Sequence, residues 1–278
     1  MSLEFEFSAA EVIQEGRVRR DDIEEIKIWA KSVHLSCLTD EQIVLFLLSC
    51  QNDLEKTQRT ILAHYKAKYI SPKISNGKNI LSEDMSFVST IVESCVIPRR
   101  TKDNNLVILQ RLKNFSHWNF NLEKSMKYLF MTLDLGLMKN PPNGLITVFD
   151  MNGMGILHLT KLRLAALKLL FFFLQEGLPV QIKAIHVFNS AYFVDKLIAI
   201  IKPLMKSDLY DMLNFHPSSM DMEEFYEKYV EAECLPSDYG GKLPPMKTLE
   251  EKSLEDLKKM SKWFEVEEEL RKDYKPPK

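Results

Sequence analysis

The sequence predicts an α/β protein with a small all-helical amino-terminal domain ahead of a larger domain built on a mostly parallel sheet. Three observations carry this. Apolar runs at residues 106–112, 145–151 and 180–188 are too short for buried helices and read as strands. Helical periodicity fills residues 122–138 and 161–176 between them, and strands alternating with helices longer than a dozen residues imply parallel crossovers. Before residue 70, helix-start signals recur ahead of short periodic apolar runs.

In chain order, Ser8 with Glu11 and Thr39 with Gln42 have capping-box spacing, Asp21 and Asp22 precede Ile23, Ile26 and Trp29, and Asn52 and Asp53 precede Leu54, Ile61, Leu62 and Tyr65. Pro, Gly, Ser and Asn gather at residues 71–79, which places a boundary there and gives an amino-terminal domain of residues 1–75. A helix is expected over 81–95, a polar turn over 99–105, then the first strand. Val180, Ile182, Ala184, Ile185, Val187 and Phe188 form the third strand, bounded on the left by Gly177 and Pro179. It breaks at Asn189 and Ser190. Beyond the break, Phe193, Leu197, Ile200, Ile201 and Leu204 line one helical stripe, which Pro203 should interrupt beside Lys202. An oily, broken helix suits a cover over the sheet. Residues 209–215 read as a short helix, 220–226 as a weak edge strand or helix, and 236–245 as a Gly/Pro turn that closes the larger domain at 246. Residues 247–272 read as one charged amphipathic helix with Leu249, Leu257, Met260 and Phe264 inward, and the KPPK tail should fray.

The chain has 278 residues, 45% apolar and 27% charged, with a net charge of −2. That length buries a core without disulfides or metal, and the charge argues against affinity built on nucleic-acid phosphates. Four scattered cysteines in apolar surroundings suit reduced core thiols, and the acidic start MSLEFEFSAAE lacks the order of a signal peptide, so a cytoplasmic protein is expected. The oiliest run, 162–174, is interrupted by Arg163 and Lys168 and is shorter than the roughly 20 residues a membrane span needs.

Catalytic chemistry is hard to find. Asp150 ends a strand without a His or Cys at catalytic spacing and reads as a cap or turn former. The MNGMG stretch after it lacks the GxGxxG order, no zinc or GxSxG pattern occurs, and His186 reads as a hydrogen-bonded core residue. No cofactor and no metal are expected. What remains is surplus apolar surface facing the sheet: Phe130, Leu133 and Leu137; Ile146 and Val148; Leu167, Leu170, Phe171 and Leu174; Ile185 and Val187; and the stripe from Phe193 to Leu204. Periodicity is consistent both with a filled core and with a hydrophobic ligand cavity, since pockets are mostly apolar with a few orienting polar groups.

Five ordered motifs distinguish the chain further: Phe149-Asp150-Met151-Asn152-Gly153 with His158, Gln175-Glu176-Gly177-Leu178-Pro179, Ile185-His186-Val187-Phe188-Asn189, Ile201-Lys202-Pro203-Leu204, and Leu235-Pro236 with Tyr239-Gly240-Gly241. With His117-Trp118, they make residues 25–246 resemble the CRAL-TRIO (Sec14-like) lipid-transfer family, especially its alpha-tocopherol and retinaldehyde carriers. The resemblance implies a helical region joined to an α/β domain whose sheet floors a lipid cavity, with 193–216 as a mobile gate opening at a membrane. It implies a monomeric carrier, not an enzyme, whose partners are a hydrophobic small molecule (tocopherol, retinoid, carotenoid or related isoprenoid) and, transiently, a membrane surface. A phospholipid or phosphatidylinositol carrier and a lipid-sensing adaptor without transfer activity are the alternatives. Leu45, Leu48 and Cys50 replace usual arginines, Ala191 replaces a usual proline, and Asp208, Tyr210, Asp211 and Met212 stand where phosphoinositide-sensing relatives are basic. Lys183 and Lys206 remain, and a phosphoinositide site is not expected.

Overall fold

The computed structural model describes residues 3–35, 37–190 and 192–276. Ala191 and the last two residues of the tail, on which expectations were placed, lie outside these.

The amino-terminal helices form where their caps say they should. Ser8 and Glu11 exchange hydrogen bonds of 3.2 and 3.0 Å ahead of the Ala9–Gln14 helix, and Thr39 with Gln42 does the same ahead of Asp40–Ser49. Each pair satisfies two amide donors that a helix start otherwise leaves unbonded. Asp53 caps the Leu54–Ile70 helix. The apolar faces of these helices, including Ile26, Ile43, Phe46 and Ile61, enter the same core as one face of the sheet.

The sheet has five strands in sequence order: β1 (Val92–Val96), β2 (Asn105–Leu112), β3 (Gly144–Asp150), β4 (Ile182–Phe188) and β5 (Leu213–Phe215). β1 runs antiparallel to β2, and the other pairs are parallel. The crossover helices are Leu122–Lys139 and Leu164–Phe172, the latter continued by a π-type turn at Phe173–Gly177. One sheet face carries Ile108, Leu145 and Ile185 beneath these helices; the other carries Val107, Leu109, Ile146 and Val148 beneath the Met222–Lys228 and Met246–Lys259 helices.

Three local expectations are corrected, and the strand-or-helix alternative at 220–226 is decided as helix. Residues 92–96 are a strand, because Glu93 pairs with Arg111 on β2 and the segment takes the sheet edge instead of prolonging the Glu83–Ile91 helix. Residues 213–215 are β5, held by Ile185 N–H donating to the Met212 carbonyl and His216 N–H to that of Val187. Residues 222–228 are helical, started by Asp221, whose side chain accepts from the Glu223 amide. The carboxyl-terminal helix is two, Met246–Lys259 and Ser261–Leu270, as Leu257, Met260 and Phe264 follow the curve of one core.

Candidate functional site

β3 and β4 end in a tied knot. Asp150 Oδ1 accepts from the Asn152 amide at 2.8 Å and from Asn189 Nδ2 at 2.7 Å, and its Oδ2 accepts from the Tyr239 hydroxyl at 2.8 Å. Both carboxylate oxygens therefore fasten loops together. Burial and then the facing Asp150 push the Tyr239 phenol up, so it stays a donor. Gly153 has φ +80, and a Cβ there would overlap the Phe115 ring, which is why the turn after β3 carries glycine. Gly177 answers a packing need instead: a Cβ would meet the backbone nitrogen of His64 at 2.8 Å, while His64 Nδ1 lies 2.8 Å from the Gly177 carbonyl oxygen.

Behind this knot lies a hollow of about 260 Å³ between the sheet and its covering helices. Of the residues the sequence singles out, Phe130, Leu133, Leu167, Phe171, Ile185, Val187, Leu197 and Ile201 line it, as do Leu170 and Leu174. Ile146 and Val148 do not. They pair across the sheet with Ala184 and His186 and point to the opposite face, because successive strand residues alternate sides. The wall instead takes Leu145, Thr147 and Phe149, with Ile108 and Gln110 from β2. Leu137 packs in the core away from the chamber, and Ile200 and Leu204 are half-buried against that core without reaching the lining. Phe193 is 1% exposed and plugs between Met151 and Val187.

The cover is the β4–β5 connection. Its helix runs Val194–Ile201 and tightens to a 3-10 turn at Lys202–Leu204, where Pro203 lacks the donor an α-helix needs. Leu197, Ile201 and Met205 roof the hollow. Two polar latches tie the cover to the π turn: Lys206 with Glu176, and the Lys206 amide donating to Gln175 Oε1.

Charges in the wall are committed elsewhere. Arg111 bonds Glu93 through Nε and lies 2.9 Å from Asp238; burial works against its charge, but the two carboxylates outweigh it and hold the guanidinium above its ordinary range. On the sheet's other face His186 Nδ1 sits 3.0 Å from His216 Nε2, and burial, then His216, pushes His186 down to about 3. The pair is hydrogen-bonded and neutral. Among the described residues no group of three or more His, Cys, Asp or Glu could hold a metal, and no helix is long and apolar enough to cross a membrane.

A roofed chamber on a mostly parallel sheet, apolar with a few polar groups, has the make-up of a small-molecule pocket. Residues 92–241 match the CRAL/TRIO domain, and the chain belongs to that family. It is 22% identical over 212 residues to Clavesin-1 of Rattus norvegicus, covering 74% of this chain and 58% of the relative. It is also 22% identical over 206 residues to the alpha-tocopherol transfer protein-like protein of Homo sapiens, covering 73% of this chain and 59% of the relative. The chain thus spans under two thirds of the length of these relatives. The crystal structure of Sfh5 superposes with a TM-score of 0.52 over 80% of each chain at 12% identity, a likeness of fold.

Proposed function

We propose that the chain binds one hydrophobic small molecule of the tocopherol, retinoid or carotenoid kind in this chamber and carries it between membranes without transforming it. The observation that supports this most is the hollow itself, roofed by a short oily helix and walled almost wholly by aliphatic and aromatic side chains. Moving apolar surface out of water is favourable by about 25 cal/mol per Å², so such a chamber holds an oily guest through burial alone. We assign residues 1–75 as a helical amino-terminal domain, 76–246 as the lipid-binding domain and 247–278 as a carboxyl-terminal brace, with 193–216 as the gate.

The exposed apolar side chains favour a membrane as the place of opening. Phe115, Trp118, Leu157 and Tyr192 are 56%, 76%, 53% and 84% exposed. All sit on connections that leave the carboxyl ends of the parallel strands β2, β3 and β4, at one end of the strands. Apolar groups concentrated at one end mark a surface made to meet something other than water. Lys161, with Nζ 4.9 Å from the Trp118 ring centroid, adds positive charge there.

The test is extraction of the purified protein followed by mass spectrometry, paired with a vesicle-to-vesicle transfer assay. An isoprenoid in the extract and transfer faster than spontaneous exchange are expected. A phospholipid alone in the extract would replace the ligand class, and tight binding with no transfer would replace the carrier with a sensor.

A further inference from the structure

The chamber wall contains five polar side chains, and three are satisfied. Asp150 is held by Asn152, Asn189 and Tyr239, Arg111 by Glu93 and Asp238, and the Ser125 hydroxyl donates to the Asn121 carbonyl at 2.9 Å. The other two are not. Thr147 is 8% exposed, and its Oγ1 has no hydrogen-bond partner; the buried Nε2 of Gln110 has none either. Native proteins bond nearly all buried polar atoms, because an unpaired one forfeits its water without compensation.

The two orphans face the same space. Thr147 lies opposite Ile108 on β2, Gln110 is two residues further along β2, and period two puts Ile108 and Gln110 on one face. Thr147 and Gln110 are therefore diagonal neighbours on the chamber side, Thr147 mid-strand and Gln110 opposite Phe149, one residue short of the Asp150 knot. A hydroxyl and a side-chain amide can both donate to a single oxygen. No unpaired cation stands among the described lining residues, so a carboxylate or phosphate brought here would be buried without a counter-charge.

On the reading that the chamber holds a ligand, we infer that Thr147 and Gln110 are its polar anchor: they bind a neutral oxygen, alcohol or carbonyl, so that the guest lies with its polar end on the middle of the sheet and its hydrocarbon toward the roof. An alcohol or ketone isoprenoid fits this anchor; a fatty acid anion does not.

The test uses the full chain and diphenylhexatriene, a hydrocarbon whose fluorescence reports chamber occupancy. Farnesol and farnesene, equal in chain length and differing in the terminal oxygen, compete against it. The ratio of their affinities cancels their difference in background hydrophobicity between variants. In Thr147→Val combined with Gln110→Leu, that ratio should fall about tenfold in farnesol's disfavour, as removal of one to two hydrogen bonds requires. Farnesene affinity should stay within about twofold, which also reports an intact fold. Thr147→Ser keeps the hydroxyl and should keep the ratio. An unchanged ratio in the double variant, with the reporter still bound, would overturn the anchor and leave the carrier reading standing. Palmitate competing as well as palmityl alcohol would overturn the neutral-oxygen assignment. Failure of diphenylhexatriene, farnesol and farnesene alike to bind would remove the chamber reading and the anchor with it.

Discussion

Phe193→Ala tests whether the roof is a separable moving part. Phe193 is 1% exposed, packs with Met151 and Val187, and stands at the start of the roof helix. Within that helix only Ile201 is otherwise buried; Leu197 and Ile200 are half-buried, and Asp195, Lys196 and Ala199 are exposed. Truncating a fully buried Phe costs about 3–5 kcal/mol. In a segment with so few other anchors that loss falls on local opening, because regions with little buried contact open ahead of the whole fold. At about 1.4 kcal/mol per power of ten, the open population should rise by about two to three and a half orders of magnitude.

Native-state hydrogen exchange reads this directly. Amides of residues 197–201 should lose protection by roughly a hundredfold or more, while those inside β3 and β4 should change little. Vesicle transfer should quicken if opening limits it. Equal loss of protection across the sheet would mean that Phe193 is an ordinary core residue and that the roof does not open alone. Unchanged protection at 197–201 would mean that the helix is held by something other than this side chain. Alanine is the informative substitution, since a carboxylate at so buried a position would add an uncompensated charge and unfold more than the roof.

Three other outcomes follow from the packing. His186 is pushed down to about 3, and His64 and His216 are also lowered, chiefly by burial. Their unfolded value is about 6.5, so stability should be full above that pH and fall with acidification below it, by up to about 1.4 kcal/mol per unit for each responding histidine. In His186→Gln the slope between pH 6.5 and pH 5 should be shallower by about that amount in urea titrations; an unaltered slope would refute the assignment. Glu267, buried with Lys68 at 2.7 Å and Arg271 at 3.0 Å, joins the last helix to the amino-terminal helices. Glu267→Leu should cost about 3–5 kcal/mol, and adding Lys68→Met should recover part of it; strict additivity would mean that the pair is not coupled. Leu133→Trp should fill part of the hollow, weakening diphenylhexatriene at least about tenfold while circular dichroism stays near native. Equal affinity would take the 122–139 helix out of the chamber wall.

β2, β3, β4 and the helices between them were legible because parallel strands under helices on both faces are unbroken apolar runs, and their crossovers are long enough to show a helical period. The same property hid the site. In LITVF every residue is tolerated in a buried strand, so no alternation tells whether Ile146 and Val148 or Leu145, Thr147 and Phe149 face the helices. Thr147 itself was the available sign, a polar side chain in an otherwise oily strand. β1 was unreadable for another reason: Val92-Glu93-Ser94-Cys95 follows a helix with no Gly or Pro between, and only Arg111, on another strand, makes a buried Glu93 tolerable. β5 has three residues, too few to show any period. No sequence break marks the turn at Met260, which packing alone imposes.

If residues 193–216 are the proposed gate, the chamber must be stiff on the side that does not move. Phe46, His64, Phe173 and Phe130 form a continuous aromatic chain, with centroids 5.1, 5.4 and 4.9 Å apart in that order, linking the amino-terminal helices to the chamber wall. With Gly177 seated against His64, this fixes the π turn that carries Gln175 and Glu176. The latch therefore has an immovable jamb. Its moving half is weak: a partly exposed Lys206–Glu176 pair is worth about 0–1 kcal/mol, and the neighbouring amide bond on Gln175 about as much again. Most of the closing free energy must come from the apolar burial of Phe193, Ile201 and Leu209. Water cannot offer that burial, but the hydrocarbon edge of a bilayer can, at the same roughly 25 cal/mol per Å². On the proposed carrier reading, a membrane would compete for the surface that keeps the roof shut, and a cover held by oil rather than by charge would open where oil is available.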